Sequence, residues 1–496
     1  MSVVKRSSMS NFSEKLKLHI ETSGVKIYQL AKISGLDRTT IQYMISGKRI
    51  PGRDFVEKLV TYLKISPFEK EELFELYSIS KIGETIYHGR KYIKGMIEGL
   101  ATSNTIDNNL FASEKRNFIN EDVNTQGSVY EGKHIVNNMI RAVIEEEVFN
   151  NSSPQINLSV PINHSFLYDL LYQIYLIERG QVVIKSITRF NKKDAYQDSN
   201  YNLKILSHTI PFAFSAGDGY QVYYYYDNYD SSSDVAALMP YYIITSKQLI
   251  TLSGDYNSAI LYHNQDIINI YKRSFEVALG NSTSLIRQHF NCDDLIMAYV
   301  ESLEKCNRPA YIVEPQPCFA FYYTDEIIDA HLRQGIENRE ILLEKLLHFY
   351  AQYKNCTQRP SSLFSIEGLS YFAATGRLAD LPIEYAIPFT IEERIMMMSR
   401  LREDILSSEY KAYVVDSTKL LIPICSIQVY PMDGIEIYRA DNNGIMSSAF
   451  VKETSIADAF ADFFESLSKS HLVFDNEESV KVIDNLIEEC RKAITT

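Results

Sequence analysis

The chain has 496 residues, too many for one hydrophobic core and enough for about three or four domains. With 45% hydrophobic and 23% charged residues it has a globular make-up, and it lacks both an N-terminal apolar leader and any run near the roughly 18 apolar residues of a membrane span. Net charge is −13 but uneven: residues 1–66 hold twelve Lys/Arg against five Asp/Glu, leaving −20 on the other 430, so attraction for phosphate is confined to a small basic head.

The head reads as five helices. Asn11 and Glu14 form a capping box that opens the first, with Leu16 and Ile20 inward and Gly24 as its stop. The second runs from about Lys26 to Ser34 with Leu30-Ala31 buried. Gly35 then supplies a turn in the left-handed region, and Asp37 caps the third helix, Arg38 to Ser46. There Ile41, Met44 and Ile45 face inward and Arg38, Thr39, Gln42 and Tyr43 face outward. Gly47 stops that helix and Lys48-Arg49 follow. A fourth spans about Gly52–Leu63, with Phe55, Val56, Leu59, Val60 and Leu63 inward. Ser66-Pro67-Phe68-Glu69 opens the fifth with a capping box and Pro at the first helical position.

The stretch YQLAKISGLDRTTIQYMISGKRIP, residues 28–51, resembles the lambda-repressor-like, XRE-type helix-turn-helix family in residue order and spacing. The resemblance covers about 70 residues, with one departure: many members carry Gln early in the second helix, where this chain has Ile27. It implies that the third helix enters the major groove of double-stranded DNA and the second crosses the backbone. Arg38, Thr39, Gln42 and Tyr43 have the side chains to read base edges: Arg pairs with guanine, Gln with adenine, and a Thr methyl touches thymine. Thr40, Lys48, Arg49 and Arg53 are assigned to phosphates, which position but do not specify.

Beyond the head, Glu84–Leu100 reads as a helix broken by Gly89, Gly95 and Gly99, and the polar stretch after it as a linker. An amphipathic helix follows over about Val129–Phe149, striped with Ile135, Met139, Ile140, Val143 and Ile144, and serves either a domain core or a dimer face. Glu145-Glu146-Glu147 reads as its solvated end. From residue 154 the pattern is mixed α/β with a faint duplication. Residues 156–188 match 383–418 as strand, Pro, helix, strand, and 239–263 match 422–451 as three short strands before a helix. The region 281–365 between them reads as mainly helical. The expected layout is a multidomain chain, an all-α five-helix head before a large mixed α/β body. The head is 1–78, linker and amphipathic helix 79–150, a first α/β segment 151–280, a mainly helical segment 281–380, and a second α/β segment with C-terminal helices 381–496. IERGQVVIKSI within the first α/β segment resembles half of a phospholipase-D-like module. That module's activity needs His-x-Lys, which occurs nowhere here, so the resemblance implies a catalytically dead form.

Enzyme motifs are lacking: GxxxxGK[ST], GxSxG, HExxH and GxGxxG are all absent. Gly217-Asp218-Gly219, between Tyr-rich apolar stretches, reads as a hairpin turn. Tyr223–Tyr226 reads as a core strand, and His164 as a capping or surface histidine at a strand end, the place where α/β folds also bind ligands. Cys292, Cys306, Cys318, Cys356, Cys425 and Cys490 have neither CxxC nor zinc-like spacing, so reduced, buried thiols in a cytoplasmic protein are expected. The reading is a non-enzymatic transcriptional regulator without cofactor, metal or membrane attachment. It binds double-stranded DNA as a homodimer on a palindromic operator and responds through its body to a small-molecule or peptide effector. An enzyme or defence effector fused to a DNA-binding head, and a peptide-responsive scaffold, are the alternatives.

Overall fold

The computed structural model describes residues 11–102, 127–161, 164–177, 181–191, 200–216, 219–227, 238–289, 309–354, 359–379, 381, 383–440 and 446–495. Two compact units make up the chain, Met1–Lys91 and Tyr92–Thr496.

The first unit holds α1 (Asn11–Thr22), α2 (Ile27–Ser34), α3 (Arg38–Ile45), α4 (Arg53–Val60) and α5 (Pro67–Ile82). Leu16 and Ile20 of α1, Leu30 of α2, Ile41 and Met44 of α3, and Val56, Leu59 and Val60 of α4 close one core. Phe12 and Tyr77 meet edge-to-face at 5.4 Å within it. The local signals act as expected from chemistry. Gly35 ends α2 at φ 64, where a side chain is strained. Ser66 and Glu69 cap each other at the start of α5, the Ser66 N–H donating to Glu69 over 2.8 Å. Asn11 differs, since it lies within the helix α1 and does not flank it. Gln29 accepts the Lys26 N–H at 3.4 Å, so the chain enters α2 on an amide although Ser, Thr and Asp are missing.

The helix α6 (Glu84–Thr102) runs unbroken through its glycines, against expectation. Burial of Ile93, Met96, Ile97 and Leu100 offsets the roughly 1 kcal/mol that each helical Gly costs relative to Ala. Gly99 is also a close-packing position: a Cβ there would stand 3.0 Å from Pro211. The linker expected after α6 falls in 103–126, outside the described residues.

The second unit carries two sheets. A first lobe runs β1 (Ser128–Glu131), α7 (Lys133–Asn150), β2 (Gln155–Ser159), α8 (Ser165–Ile177), β3 (Val183–Asn191), α9 (Tyr201–Ala216), β4 (Tyr220–Asp227), β5 (Tyr241–Ile244), β6 (Leu249–Leu252), β7 (Ser258–Tyr262) and α10 (Gln265–Gly280). After the two-residue β8 (Thr283–Ser284), a second lobe runs β9 (Ile286–His289), β10 (Tyr311–Val313), a 3-10 turn (Ala320–Tyr322), α11 (Asp325–His331) and α12 (Arg339–Lys354). It continues through β11 (Ser361–Ser365), α13 (Ile366–Thr375), α14 (Ile391–Ser407), β12 (Ala412–Val415), β13 (Ser426–Tyr430), β14 (Gly434–Ala440), β15 (Met446–Val451) and α15 (Thr454–Leu467). The terminal α16 (Asn476–Thr495) packs on α13 and α14.

The sheet orders are β1-β7-β6-β5-β2-β3-β4-β8 and β12-β11-β10-β13-β14-β15-β9. In the first, β2, β3 and β4 are parallel, β5 joins β2 antiparallel, β5-β6-β7 is a meander, and β1 closes on β7. The second repeats this step for step: β10, β11 and β12 parallel, β13 antiparallel to β10, a β13-β14-β15 meander, and β9 closing on β15. The two lobes therefore share one topology, β1 through β7 matching β9 through β15 in order.

That duplication is offset by one strand–helix step from the sequence match of 156–188 with 383–418. Residues 383–387 form no strand; Ala386 makes only an isolated bridge to Leu332. The unit α14–β12 corresponds to α9–β4, and β2 corresponds to β10. The segment expected to be mainly helical thus supplies β10 and β11, the middle parallel strands of the second sheet. Strands as short as YIV and SSLFS carry no readable periodicity. The meanders and their following helices match as expected. At the β13–β14 turn, Gly434 is enforced by space, since a Cβ would meet the Val451 carbonyl oxygen at 2.0 Å. Asn443-Gly444, between β14 and β15, lies outside the described residues.

One face of the first sheet packs on α7, α8 and α9. The other carries Ile187, Ile244 and Leu249 against Ile268 and Phe275 of α10. In the second lobe, Val313, Leu363, Ile427 and Ile435 meet Ile456, Phe460 and Phe464 of α15 in a core continuous with that of the first lobe. The stripe of α7 is Val136, Met139, Ile140, Val143 and Ile144; Ile135 is 54% exposed, and Val129 and Tyr130 belong to β1 and not to the helix. That stripe is buried in the body's own core, which removes it as a dimer face. Glu147, read as solvated, is 4% exposed. Its carboxylate accepts hydrogen bonds from Asn151 Nδ2 (2.8 Å), the Gln155 N–H (3.0 Å), and the Ser246 N–H (3.0 Å) and hydroxyl (2.5 Å).

Candidate nucleic-acid interface

The third helix is fixed at its start by a two-pronged cap. The Asp37 carboxylate accepts the Thr40 N–H at 2.6 Å and the Thr40 hydroxyl at 2.7 Å, and these bonds lower its pKa below the ordinary value. At its end, the Lys48 and Arg49 N–H groups both donate to the Tyr43 carbonyl, at 2.9 and 3.3 Å, so the chain folds back over the last turn. Between these fixed ends Ile41 and Met44 are wholly buried, which sets the helix's rotation.

The rotation brings Arg38, Thr39, Gln42 and Tyr43 out together on one exposed face. Tyr43 is 44% exposed, and Lys48 Nζ lies 5.8 Å from its ring centre. Lys48 and Arg49 flank the face and are exposed. Thr40 is half-buried, with its hydroxyl proton held by Asp37. Arg53 is bound within the domain: its Nε donates to Glu57 at 2.7 Å and its guanidinium lies 5.2 Å from the Phe74 ring centre. The Arg53–Glu57 tie is an i, i+4 pair within α4, whereas the Phe74 contact depends on α5 facing α4 and has no local sign in the sequence. On α2, Ile27 is half-buried against the core, and Tyr28, Gln29, Lys32 and Ile33 are exposed.

In the body, the His164 Nδ1 accepts the Leu167 N–H at 3.2 Å as a cap for α8, and burial lowers its pKa. Tyr224 is buried on β4 while Tyr225 and Tyr226 are exposed. The strand expected before the Gly217 turn is the helix α9, and Gly217 and Asp218 lie outside the described residues. Cys318, Cys425 and Cys490 are free thiols, and burial raises the last two in pKa, Cys425 to about 12. Cys292, Cys306 and Cys356 lie outside the described residues. Among the described residues no helix is long and apolar enough to cross a membrane.

Residues 16–70 match the helix-turn-helix family. Residues 16–70 thus form an XRE-type helix-turn-helix DNA-binding domain, set before a mixed α/β body. No curated protein matches the chain. Among solved structures, the chain is similar to TrmBL2, an archaeal chromatin protein, at 12% identity and a TM-score of 0.22, covering 56% of this chain and 96% of that one. It is also similar to phosphatidylserine synthase of Haemophilus influenzae Rd KW20 at 8% identity and a TM-score of 0.25, covering 75% and 94%.

Proposed function

We propose that the chain is a non-enzymatic, sequence-specific transcriptional regulator of the cytoplasm, reading an operator with α3 and responding to an effector through its body. The observation that carries this reading is the single exposed face of Arg38, Thr39, Gln42 and Tyr43 on a helix capped at one end and folded back at the other. Arg38 and Gln42 are the bidentate readers, for guanine and adenine, and Thr39 and Tyr43 supply apolar and hydroxyl contacts. Lys48 and Arg49 take phosphates. Arg53 has the weaker claim to a phosphate, because it would first leave Glu57.

One short helix buries too little surface for an operator to be found among genomic competitors. A homodimer on two half-sites about one helical turn apart supplies the missing affinity. Selection of bound sequences from a random DNA pool by the full chain tests the reading, and a two-fold symmetric consensus is expected. Arg38→Ala should then cost about 1–3 kcal/mol on the consensus and relax one base position. Equal weakening on every sequence moves Arg38 to the phosphate class, and failure to enrich any sequence defeats the proposal.

A further inference from the structure

Because the two lobes share a topology and register, each position in one sheet has a counterpart in the other. In the first sheet Ile243 stands opposite Leu158 on β2 and Ile250 on β6, and Leu252 stands opposite Tyr241. In the second, Gln428 stands opposite Ile312 on β10 and Glu436 on β14, and Tyr438 stands opposite Ser426. Val160 and Glu314 are each the first residue past the matching strand. Thus Val160, Ile243, Ile250 and Leu252, all buried and apolar, become Glu314, Gln428, Glu436 and Tyr438. Placing carboxyls and amides at core positions costs stability unless they are paired, and such a breach of the core rule concentrates at functional sites.

The polar face is organised. Gln428 Nε2 donates to the Tyr438 hydroxyl at 3.2 Å, the Tyr430 hydroxyl lies 2.9 Å from Gln428 Oε1 and 3.2 Å from Glu436 Oε2, and the Ser426 hydroxyl reaches Glu314 at 3.5 Å. Above it is a cavity of about 90 Å³. The wall facing the sheet is aromatic, with Tyr323 just after the 3-10 turn and Tyr350 and Tyr353 of α12. Tyr323 and Tyr350 meet edge-to-face at 5.3 Å, and Phe321 lies 4.7 Å from Tyr353, so the rings are held. The wall contains a carboxylate and no Lys, Arg or His among its described residues.

Aromatic faces together with a buried carboxylate attract a cation and repel an anion. The volume, against the roughly 150 Å³ that admits benzene, suits about four or five heavy atoms. We propose that this cavity binds a small alkylammonium ion, its charge toward Glu314 and its alkyl groups against the tyrosine rings. Its use as the regulator's effector site rests on the DNA-binding reading above; the binding itself does not.

Calorimetry on the full chain, at matched ionic strength, tests the site with tetramethylammonium, propylammonium, tert-butanol and propionate. Saturable binding of the two ammonium ions and none of the neutral or anionic probes is expected. Glu314→Gln should weaken it about tenfold or more, while Glu314→Asp, which keeps the charge, should retain it more closely. Circular dichroism identifies any variant that fails to fold, and the comparison among probes on the unaltered protein needs no variant. Equal binding of tert-butanol, or no saturation by ammonium below about 10 mM in folded protein, overturns the proposal. The same samples are scored for sequence selection on DNA. Selection without ammonium binding removes the site and leaves the regulator; ammonium binding without selection leaves the site and removes its effector role.

Discussion

Glu436 is held by burial at a pKa of about 7, above its ordinary 4.5, although its hydrogen bond with Tyr430 pulls it down. Between those two pH values the folded chain holds a proton that the unfolded chain has lost. Its contribution to stability is therefore complete below pH 4.5, falls as pH climbs to about 7, and is flat beyond, by at most about 3 kcal/mol. The difference in urea midpoint between Glu436→Gln and the unaltered protein should grow over that window and then level off; a constant difference from pH 4 to 8 would contradict the assignment. Glu147 is held by geometry, its carboxyl group accepting from four donors. Glu147→Leu should cost about 1–3 kcal/mol in urea unfolding, because it leaves the part-buried Gln155 and Ser246 N–H groups without that acceptor. The third glutamate of the run Glu145-Glu146-Glu147 is set apart by donors outside the run, Asn151 and Gln155 close by and Ser246 99 residues on. Arg38, Thr39, Gln42 and Tyr43 were legible for the contrary reason. Their exposure follows from a helical period and a cap that all lie within ten residues.

Among elements, those whose signals are local were legible in the same way: α2 to α5, the two meanders, and the helices α10 and α15 after them. Those defined by pairing were not. The strands β1, β9 and β10 have three or four residues each and become strands only because a distant partner accepts their hydrogen bonds. The helix α15 shows how much rests on one such element. Phe460, Phe463 and Phe464 are all buried in the core that joins the lobes. Phe460→Ala should cost about 3–5 kcal/mol, measured as a shift in urea midpoint with DNA binding by the separate first unit retained.

At the scale of the whole molecule, a core continuous between the lobes makes them one cooperative body. The chain contains no tryptophan, so a single Trp placed at Phe275 in the first lobe or Phe372 in the second reports each lobe alone. Coincident urea transitions from the two reporters are expected, and well-separated midpoints would show that the lobes unfold independently. The seam between the lobes also has a timing. The first lobe is complete at Ser284, yet α9 packs on α15, Phe214 lies 5.6 Å from Arg439, and Tyr226 donates to Glu453. Those partners leave the ribosome up to some 190 residues later, roughly 10–40 s at ordinary rates of synthesis. For that interval the newborn first lobe presents an apolar flank to a crowded cell, which makes it a client for chaperones and makes translation speed a factor in the yield of folded protein.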